Sequence, residues 1–302
     1  MADKVFVLGA SGDQGVPLVT ALLGAGFDVT AGVRRPDALF ATPFPDLPTQ
    51  PADILDQASL EAAFAGHTAL AMHLPFEHDP EIAAAYGRNI ANAAKVAGLE
   101  KIVFNSSCYV ADSDLGMGGH DGRRRIQSFI EKSGVNYVFI EPVVFMNNMI
   151  APWCKPSIVN HSVFAYPAAP DLKISVISLD DVAHAMAAAL KTDAVDRQHI
   201  PIGGPEALTG FEIAQRLSAA AGREIQFRSL SPEEFAANIS ELVTGKREVP
   251  PGSVYDGMAQ FYRFYNEQPV SPLAVRPEDW TDKLPIKLTS LETWAQQQDW
   301  TA

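Results

Sequence analysis

The sequence predicts an α/β fold: a doubly wound, mostly parallel sheet followed by a smaller α+β C-terminal region. Three observations carry that expectation. The stretch Lys4 to Gly15, KVFVLGASGDQG, joins a short apolar strand to a turn with glycines at positions 9, 12 and 15. Runs of strand formers then alternate with helical periodicity as far as Ile140, the pattern of a parallel sheet wrapped by helices. The last third is instead punctuated by helix caps.

Composition narrows the function classes. At 302 residues the chain holds one large domain or two small ones, and 47% hydrophobic residues suffice for a sizeable core. A formal charge of −13 argues against nucleic acid or an anionic membrane as a partner. Only Cys108 and Cys154 are present, no N-terminal run resembles a signal peptide, and no apolar run reaches membrane-spanning length. A soluble protein of the reducing cytoplasm is expected. The seven histidines and two cysteines show no close metal-ligand spacing, so no metal is expected. A nucleophile elbow with a central serine is also missing.

Val5, Phe6, Val7 and Leu8 form the first strand. In the turn that follows, glycine permits positive φ and close approach of a ligand, and the N–H groups of the next helix face an anion. Gly9, Ser11, Gly12, Gln14 and Gly15 are therefore candidates to hold a pyrophosphate. Val16, Val19, Leu22 and Leu23 recur at helical spacing until Gly24 and Gly26. The second strand, Phe27 to Val33, ends in Arg34 and Arg35. Arg34 stands nineteen places beyond Gly15, close to where a dinucleotide fold carries the group that meets the adenosine ribose. An acid there favours NAD, whereas two arginines offer charge-assisted hydrogen bonds to a 2′-phosphate, so the cofactor expected is NADP(H). The alternative is a solvated basic turn.

Pro43, Pro45, Pro48 and Pro51 make a rigid connector, and Asp53 closes a short third strand. A helical run, Ser59 to Phe64, ends at Gly66 before a fourth strand, Thr68 to Leu74. Ligands lie at the carboxyl ends of such strands, which puts Asp53 and Ile54 near an adenine and Met72, His73, Leu74 and Pro75 beside the middle of the cofactor. His73 is either a proton donor or a packed structural group. Asp79, Pro80 and Glu81 start a long helix with Ile82, Tyr86, Ile90 and Ala94 on one face and Gly98 at its end.

Lys101 to Asn105 is the fifth strand and runs into Ser106, Ser107, Cys108 and Tyr109. Ser107 and Tyr109 are candidates to hold a substrate oxygen, with turn capping as the alternative. Asp112 to Gly122, with four glycines, reads as a flexible cover. A helix is expected next, carrying Ile126, Phe129 and Ile130 inward and Arg123, Arg124 and Arg125 at its start. Cations there oppose the helix dipole, which suits an anionic ligand nearby or is merely tolerated. The strand Asn136 to Ile140 leads to Glu141 and to Pro142, a cofactor-site candidate. Phe145, Met146, Met149 and Trp153 follow this strand end as a candidate apolar substrate pocket.

In the last third Val182, Met186 and Leu190 mark a helical face, and Thr209 with Glu212 makes a capping box for a helix ended by Gly222. Ser231, Pro232 and Glu234 open another helix, and Thr289 with Glu292 opens the last, which carries Trp294. Tyr255, Met258, Phe261, Tyr262 and Tyr265 form a stripe at helical spacing, either core or a wall for substrate or partner.

The sequence resembles the NmrA-like branch of the atypical short-chain dehydrogenase/reductase family. The segments that carry the likeness are GASGDQG, VRRP, FIEKSGVNYVFIEPVVFMNN, ISVISLDDVAHAMAAAL, IGGPEALTGFEIAQRLSAAAGREI with LSPEEF, and SLETWA, in order over nearly the full chain. The resemblance implies an NAD(P)-binding Rossmann domain over 1–155, to which 174–203 return, and a smaller substrate-covering region over 204–302. Two departures bear on mechanism. No tyrosine with a lysine four residues later follows the fifth strand, and Arg123 stands where reductase members often carry a lysine. Arginine binds an oxyanion but does not readily become a base. Glu141 replaces an arginine frequent in relatives. The expected function is an NADPH-dependent oxidoreductase passing hydride to a small conjugated or aromatic carbonyl or quinone, with His73, Ser107, Tyr109 and Arg123 as catalytic candidates. The alternative is a non-catalytic, NADP(H)-sensing regulatory protein that binds a protein partner; a homo-oligomer is compatible with either.

Overall fold

The computed structural model describes residues 3–35, 39 and 42–301, so Pro36 of the VRRP segment lies outside the described residues. In chain order the elements are β1 (Lys4–Leu8), α1 (Gly15–Gly24), β2 (Asp28–Val33), β3 (Thr49–Pro51), α2 (Gln57–Phe64), β4 (Ala69–His73), α3 (Pro80–Ala97), β5 (Lys101–Asn105), α4 (Gly118–Ser133) and β6 (Asn136–Pro142). Then follow α5 (Lys155–His161), β7 (Val163–Tyr166), α6 (Leu179–Leu190), β8 (Gln198–Ile202), α7 (Gly210–Ala221), β9 (Gln226–Ser229), α8 (Pro232–Thr244), α9 (Val254–Glu267) and α10 (Leu291–Gln296). Two compact units emerge. The first takes in 1–142, 179–201 and 280–287; the second takes in 143–178, 202–279 and 288–302. Relative to the division expected from sequence, 143–155, 174–178 and 202–203 fall in the second unit and 280–287 in the first.

The first unit carries a seven-stranded sheet of order β3-β2-β1-β4-β5-β6-β8. From β3 to β6 the neighbours pair in parallel, in registers such as Val7 with Ala31 and His73 with Asn105. Strand order reverses between β1 and β4, which opens a crevice at their carboxyl ends. Beneath α2, α3 and α4 lies a core of Phe6, Leu70, Phe104 and Phe139 with Ile90 and Ile126. Asp79 caps α3 by accepting from the Glu81 N–H at 2.8 Å, and Gly98 ends that helix at φ 71°. Ile82, expected on the inner face of α3, is instead 38% exposed. Ala83, one position on, takes the buried place against α4.

The glycine-rich segment departs most from expectation. Only its first part is loop: α4 begins at Gly118, so Arg123 to Arg125 lie in its second turn rather than at its start. Asp121 accepts the N–H groups of Leu115 and Gly116 at 2.8 and 3.0 Å, tying the loop to the helix. The glycines serve close packing. A Cβ at Gly118 would stand 2.1 Å from the His78 carbonyl oxygen, and one at Gly119 would stand 2.1 Å from the Phe76 ring. The third strand also ends earlier than expected, at Pro51 on the sheet edge, leaving Asp53 in the turn before Asp56 caps α2.

In the second unit β7 and β9 pair in parallel. The Thr209–Glu212 capping box on α7 and the Ser231 cap on α8 are formed. The α10 cap is shifted by one residue: the Ser290 hydroxyl, not Thr289, accepts the Thr293 N–H at 3.1 Å. Tyr166 and Tyr262 share a 2.8 Å hydroxyl contact inside an aromatic cluster that includes Phe164 and Phe235. Tyr262 and Tyr265 of the aromatic stripe are thus core positions. Among the described residues no helix is long and apolar enough to cross a membrane.

Candidate functional site

The turn after β1 is built by what it excludes. Gly9 adopts φ +83°, and a Cβ at Gly15 would stand 2.0 Å from the Gly9 carbonyl oxygen, so neither position accepts a side chain without backbone movement. The turn closes through the Gly12 N–H on Gly9 O at 3.2 Å and the Gly15 N–H on Gly12 O at 2.9 Å. Gly12 differs from both. A Cβ there would meet only ordinary contacts, at 3.6 Å or more, so the protein itself does not require glycine at 12. Its bare backbone borders a cleft, and Gln14 supplies α1 with no side-chain cap. That arrangement leaves the helix start for an external anion.

The cleft has a volume of about 380 Å³ and follows the switch point between β1 and β4. Gly9, Ser11, Gly12, Gln14, Arg34, His73, Leu74, Ser107 and Arg123 line it, all singled out by the sequence. Phe76 lines it too and was not; the signal available was an apolar ring just past a strand end. Gly15, Arg35, Asp53, Tyr109 and Pro142 are not among its described lining residues. Gly15 buttresses the turn, and Pro142 is the buried last residue of β6. Asp53 is engaged in its own turn: its carboxylate accepts the Leu55 N–H at 2.9 Å and its N–H donates to Ser59 Oγ at 3.1 Å. Its neighbours Ala52 and Ile54 face the cleft instead.

A polar chain joins β5 to the glycine turn. Asn105 Oδ1 accepts the Ser107 N–H at 2.8 Å, so Asn105 Nδ2 is the donor to Gln14 Oε1, also at 2.8 Å. The Ser107 hydroxyl donates to the same Gln14 oxygen at 3.1 Å. Ser107 sits at φ 61°, a conformation uncommon for serine, which this network holds in place. Its proton is committed to Gln14, so toward the cleft the hydroxyl presents lone pairs. Asn105, buried at the end of β5, sets these directions and was not singled out by the sequence reading.

His73 keeps a partly open surface on the cleft, but the protein atoms around it dominate its chemistry. Burial first, and the Arg123 charge second, push its pKa down to about 4. Its ring fills the space left by the missing side chain of Gly9, where a Cβ would come within 2.6 Å of it. At neutral pH its ring is uncharged and packs against the turn. Tyr109 has its hydroxyl pKa raised by burial. Arg123 is 2% exposed and donates from Nη2 to the Leu74 carbonyl at 2.8 Å. The rings of Phe76 and Phe104 lie 5.1 and 5.9 Å from its Cζ.

Glu141, buried at the end of β6, accepts from Gln127 Nε2 at 2.8 Å and lies 3.0 Å from His199 Nδ1. It therefore serves β8 and α4 rather than the cleft lining. The substrate-pocket candidates belong to the second unit: Met146 and Met149 are buried there, Phe145 bridges to Ile177, and Trp153 packs on Tyr166 and Phe235. Among the described residues no group of three or more His, Cys, Asp or Glu side chains is arranged to hold a metal ion.

Comparison with known proteins bears on the fold and the family. The sequence model of the NmrA-like family matches residues 1–295. An NAD(P)H azoreductase of Xenophilus azovorans is 28% identical, over 85% of this chain and 86% of that protein. Quinone oxidoreductase 2 of Escherichia coli is 26% identical, over 79% of this chain and 82% of that protein. The crystal structure of an NADPH-dependent quinone oxidoreductase from Escherichia coli, complexed with NADPH, superposes with a TM-score of 0.79 at 24% identity, covering 96% of this chain and 98% of that one.

Proposed function

The chain belongs to the NmrA-like family, and from that premise we propose that it is an NADPH-dependent reductase of small conjugated or aromatic carbonyl compounds or quinones. The observation that carries the reading is the cleft itself: a glycine turn whose middle glycine the protein does not need, opposite an exposed Arg34 at the end of β2. The residues fit a phosphorylated dinucleotide. Gly9 to Gly15 would hold the pyrophosphate, Arg34 the 2′-phosphate, Ala52 and Ile54 the adenine, and Leu74 and Ser107 the nicotinamide end. When bound, that group supplies a hydride equivalent. The chain's own part is to orient the dinucleotide, to offer Ser107 lone pairs to a donor on it, and to keep His73 neutral beside it. The named activities of the azoreductase and quinone oxidoreductase relatives support the reductase class. We take the setting to be cytoplasmic and the partner a small molecule, without nucleic acid or membrane.

The test is direct. Purified protein titrated with NADPH and NADH by fluorescence is expected to prefer NADPH, and NADPH oxidation is expected with a member of a panel of quinones, enones and aromatic aldehydes. Tight NADPH binding with no oxidation across the panel would sink the catalytic reading. It would favour a second one, an NADP(H) sensor that binds a protein partner. That second reading draws on a specific feature, the lack of any ionisable acid beside Arg123 that is charged to act near neutral pH among the described cleft residues. Partners whose capture is indifferent to NADP+ and NADPH would count against it.

A further inference from the structure

Among the described residues Arg123 is a buried cation with no carboxylate paired to it. Its neighbours Arg124 and Arg125 pair with Asp114 and Glu81. Nη2 donates to Leu74 O and the guanidinium also engages the Cys108 thiol, while Nε and Nη1 are buried and have no hydrogen-bond partner. The Cys108 thiol beside it stays neutral, because burial pushes it up to about 12. His73 and His120 flank it with pKa values lowered to about 4, so neither shares its charge or acts as an acid at neutral pH. A guanidinium taken out of water with two donors unmet is costly unless something completes it, and Arg123 lines the cleft from which completion can come.

Ser107 does not compete for that role, since its proton is committed to Gln14. A negative oxygen arriving in this part of the cleft therefore finds the Arg123 N–H groups as its charged donors. We propose that Arg123 is the receptor for the substrate oxygen, and that the cleft therefore takes conjugated carbonyl acceptors whose reduced form is a stabilised oxyanion, in preference to isolated aldehydes and ketones. The proposal rests on the reductase reading above. In such an acceptor a C–H bond forms at the conjugated carbon as hydride arrives, the π electrons shift onto the carbonyl oxygen, and the dinucleotide is left oxidised. Arg123 holds the resulting enolate or phenolate charge and keeps its own proton, so the proton that completes the product comes from water. An isolated ketone would leave a far more basic alkoxide, which needs an acid that this site lacks.

A product-like probe tests the site without turnover. 4-Nitrophenol changes absorbance on ionisation, and in the presence of NADP+ the wild-type protein is expected to bind its phenolate and lower its apparent pKa. Arg123→Met is expected to weaken phenolate binding by about tenfold or more and to abolish the shift. Arg123→Lys, which keeps the charge, is expected to retain part of both. NADP+ affinity, followed separately by protein fluorescence, is expected to be similar in all three proteins. The proposal is overturned if the wild-type complex shows no pKa shift, if Arg123→Met binds the phenolate as well as wild type, or if both variants lose NADP+ in proportion to the probe. Failure of NADP+ to bind the wild-type protein at all is a distinct result, and it would sink the reductase reading and this proposal together.

Discussion

His199 bridges two carboxylates: Nδ1 lies 3.0 Å from Glu141 Oε1 and Nε2 lies 2.9 Å from Glu131 Oε1. The hydrogen bond to Glu141, seconded by Glu131, raises the imidazole pKa against the opposing effect of burial. A raised folded-state pKa means stability that is fully present below the unfolded value of about 6.5 and is lost as pH rises through the folded value. The melting temperature of His199→Gln is therefore expected to fall furthest below wild type near pH 6, and the gap to shrink toward pH 9. Because the side chain is 44% exposed, the contribution is expected to stay below about 1 kcal/mol. A gap that is constant with pH would remove the linkage.

His73 has the opposite sign. Its folded pKa of about 4 lies below the unfolded value, so the stability it contributes is present above about pH 6.5 and is lost as pH falls toward 4. The full shift corresponds to a loss on the order of 3 kcal/mol. His73→Gln is expected to lose less melting temperature than wild type between pH 7 and 4.5. Parallel acid curves for the two proteins would show that His73 does not control this transition.

Gly12 and Gly15 separate ligand binding from folding. Gly15→Ala drives a Cβ to within 2.0 Å of Gly9 O and is expected to destabilise the fold by about 2 kcal/mol or more, read by urea unfolding. Gly12→Ala meets contacts no closer than 3.6 Å, so its unfolding midpoint is expected to match wild type while NADPH affinity drops severalfold. Unchanged NADPH affinity in a folded Gly12→Ala protein would refute the assignment of the turn to the pyrophosphate.

Arg34→Asp is expected to cost NADPH affinity on the order of tenfold to a hundredfold while affecting NADH much less, since only NADPH carries the 2′-phosphate. Isothermal titration with both dinucleotides checks this. Equal losses would take away the specificity role.

Lys4 to Gly15 was legible because strand propensity and glycine spacing are local: the constraints at Gly9 and Gly15 come from residues within the turn or packed on it. The succession of strands and helices along the chain and most caps were legible for the same reason, being set by hydrophobic period and by side chains two or three residues from their targets. The segment from Asp112 to Gly122 misled because glycine has two uses. It marks flexibility where nothing approaches, and close packing where a backbone or ring does; here His78 and Phe76 approach Gly118 and Gly119 from a different part of the chain. The displacement of the α4 start then changed the meaning of Arg123, from an exposed cation at a helix terminus to a buried one on the inner face.

The sequence by itself determined the mostly parallel sheet, the glycine turn and the family, since each is written in local pattern or in an ordered succession of segments, whereas the place of the switch point came from the order of strands across the sheet. Tertiary structure alone decided the chemical state of the groups around the cleft. The neutrality of His73, the direction of the Ser107 proton, the bridge between His199 and Glu141 and the unmatched charge of Arg123 depend on which distant residues surround each group. Burial and hydrogen-bond partners set protonation and polarity, and both come from contacts across long sequence separations that no local pattern encodes.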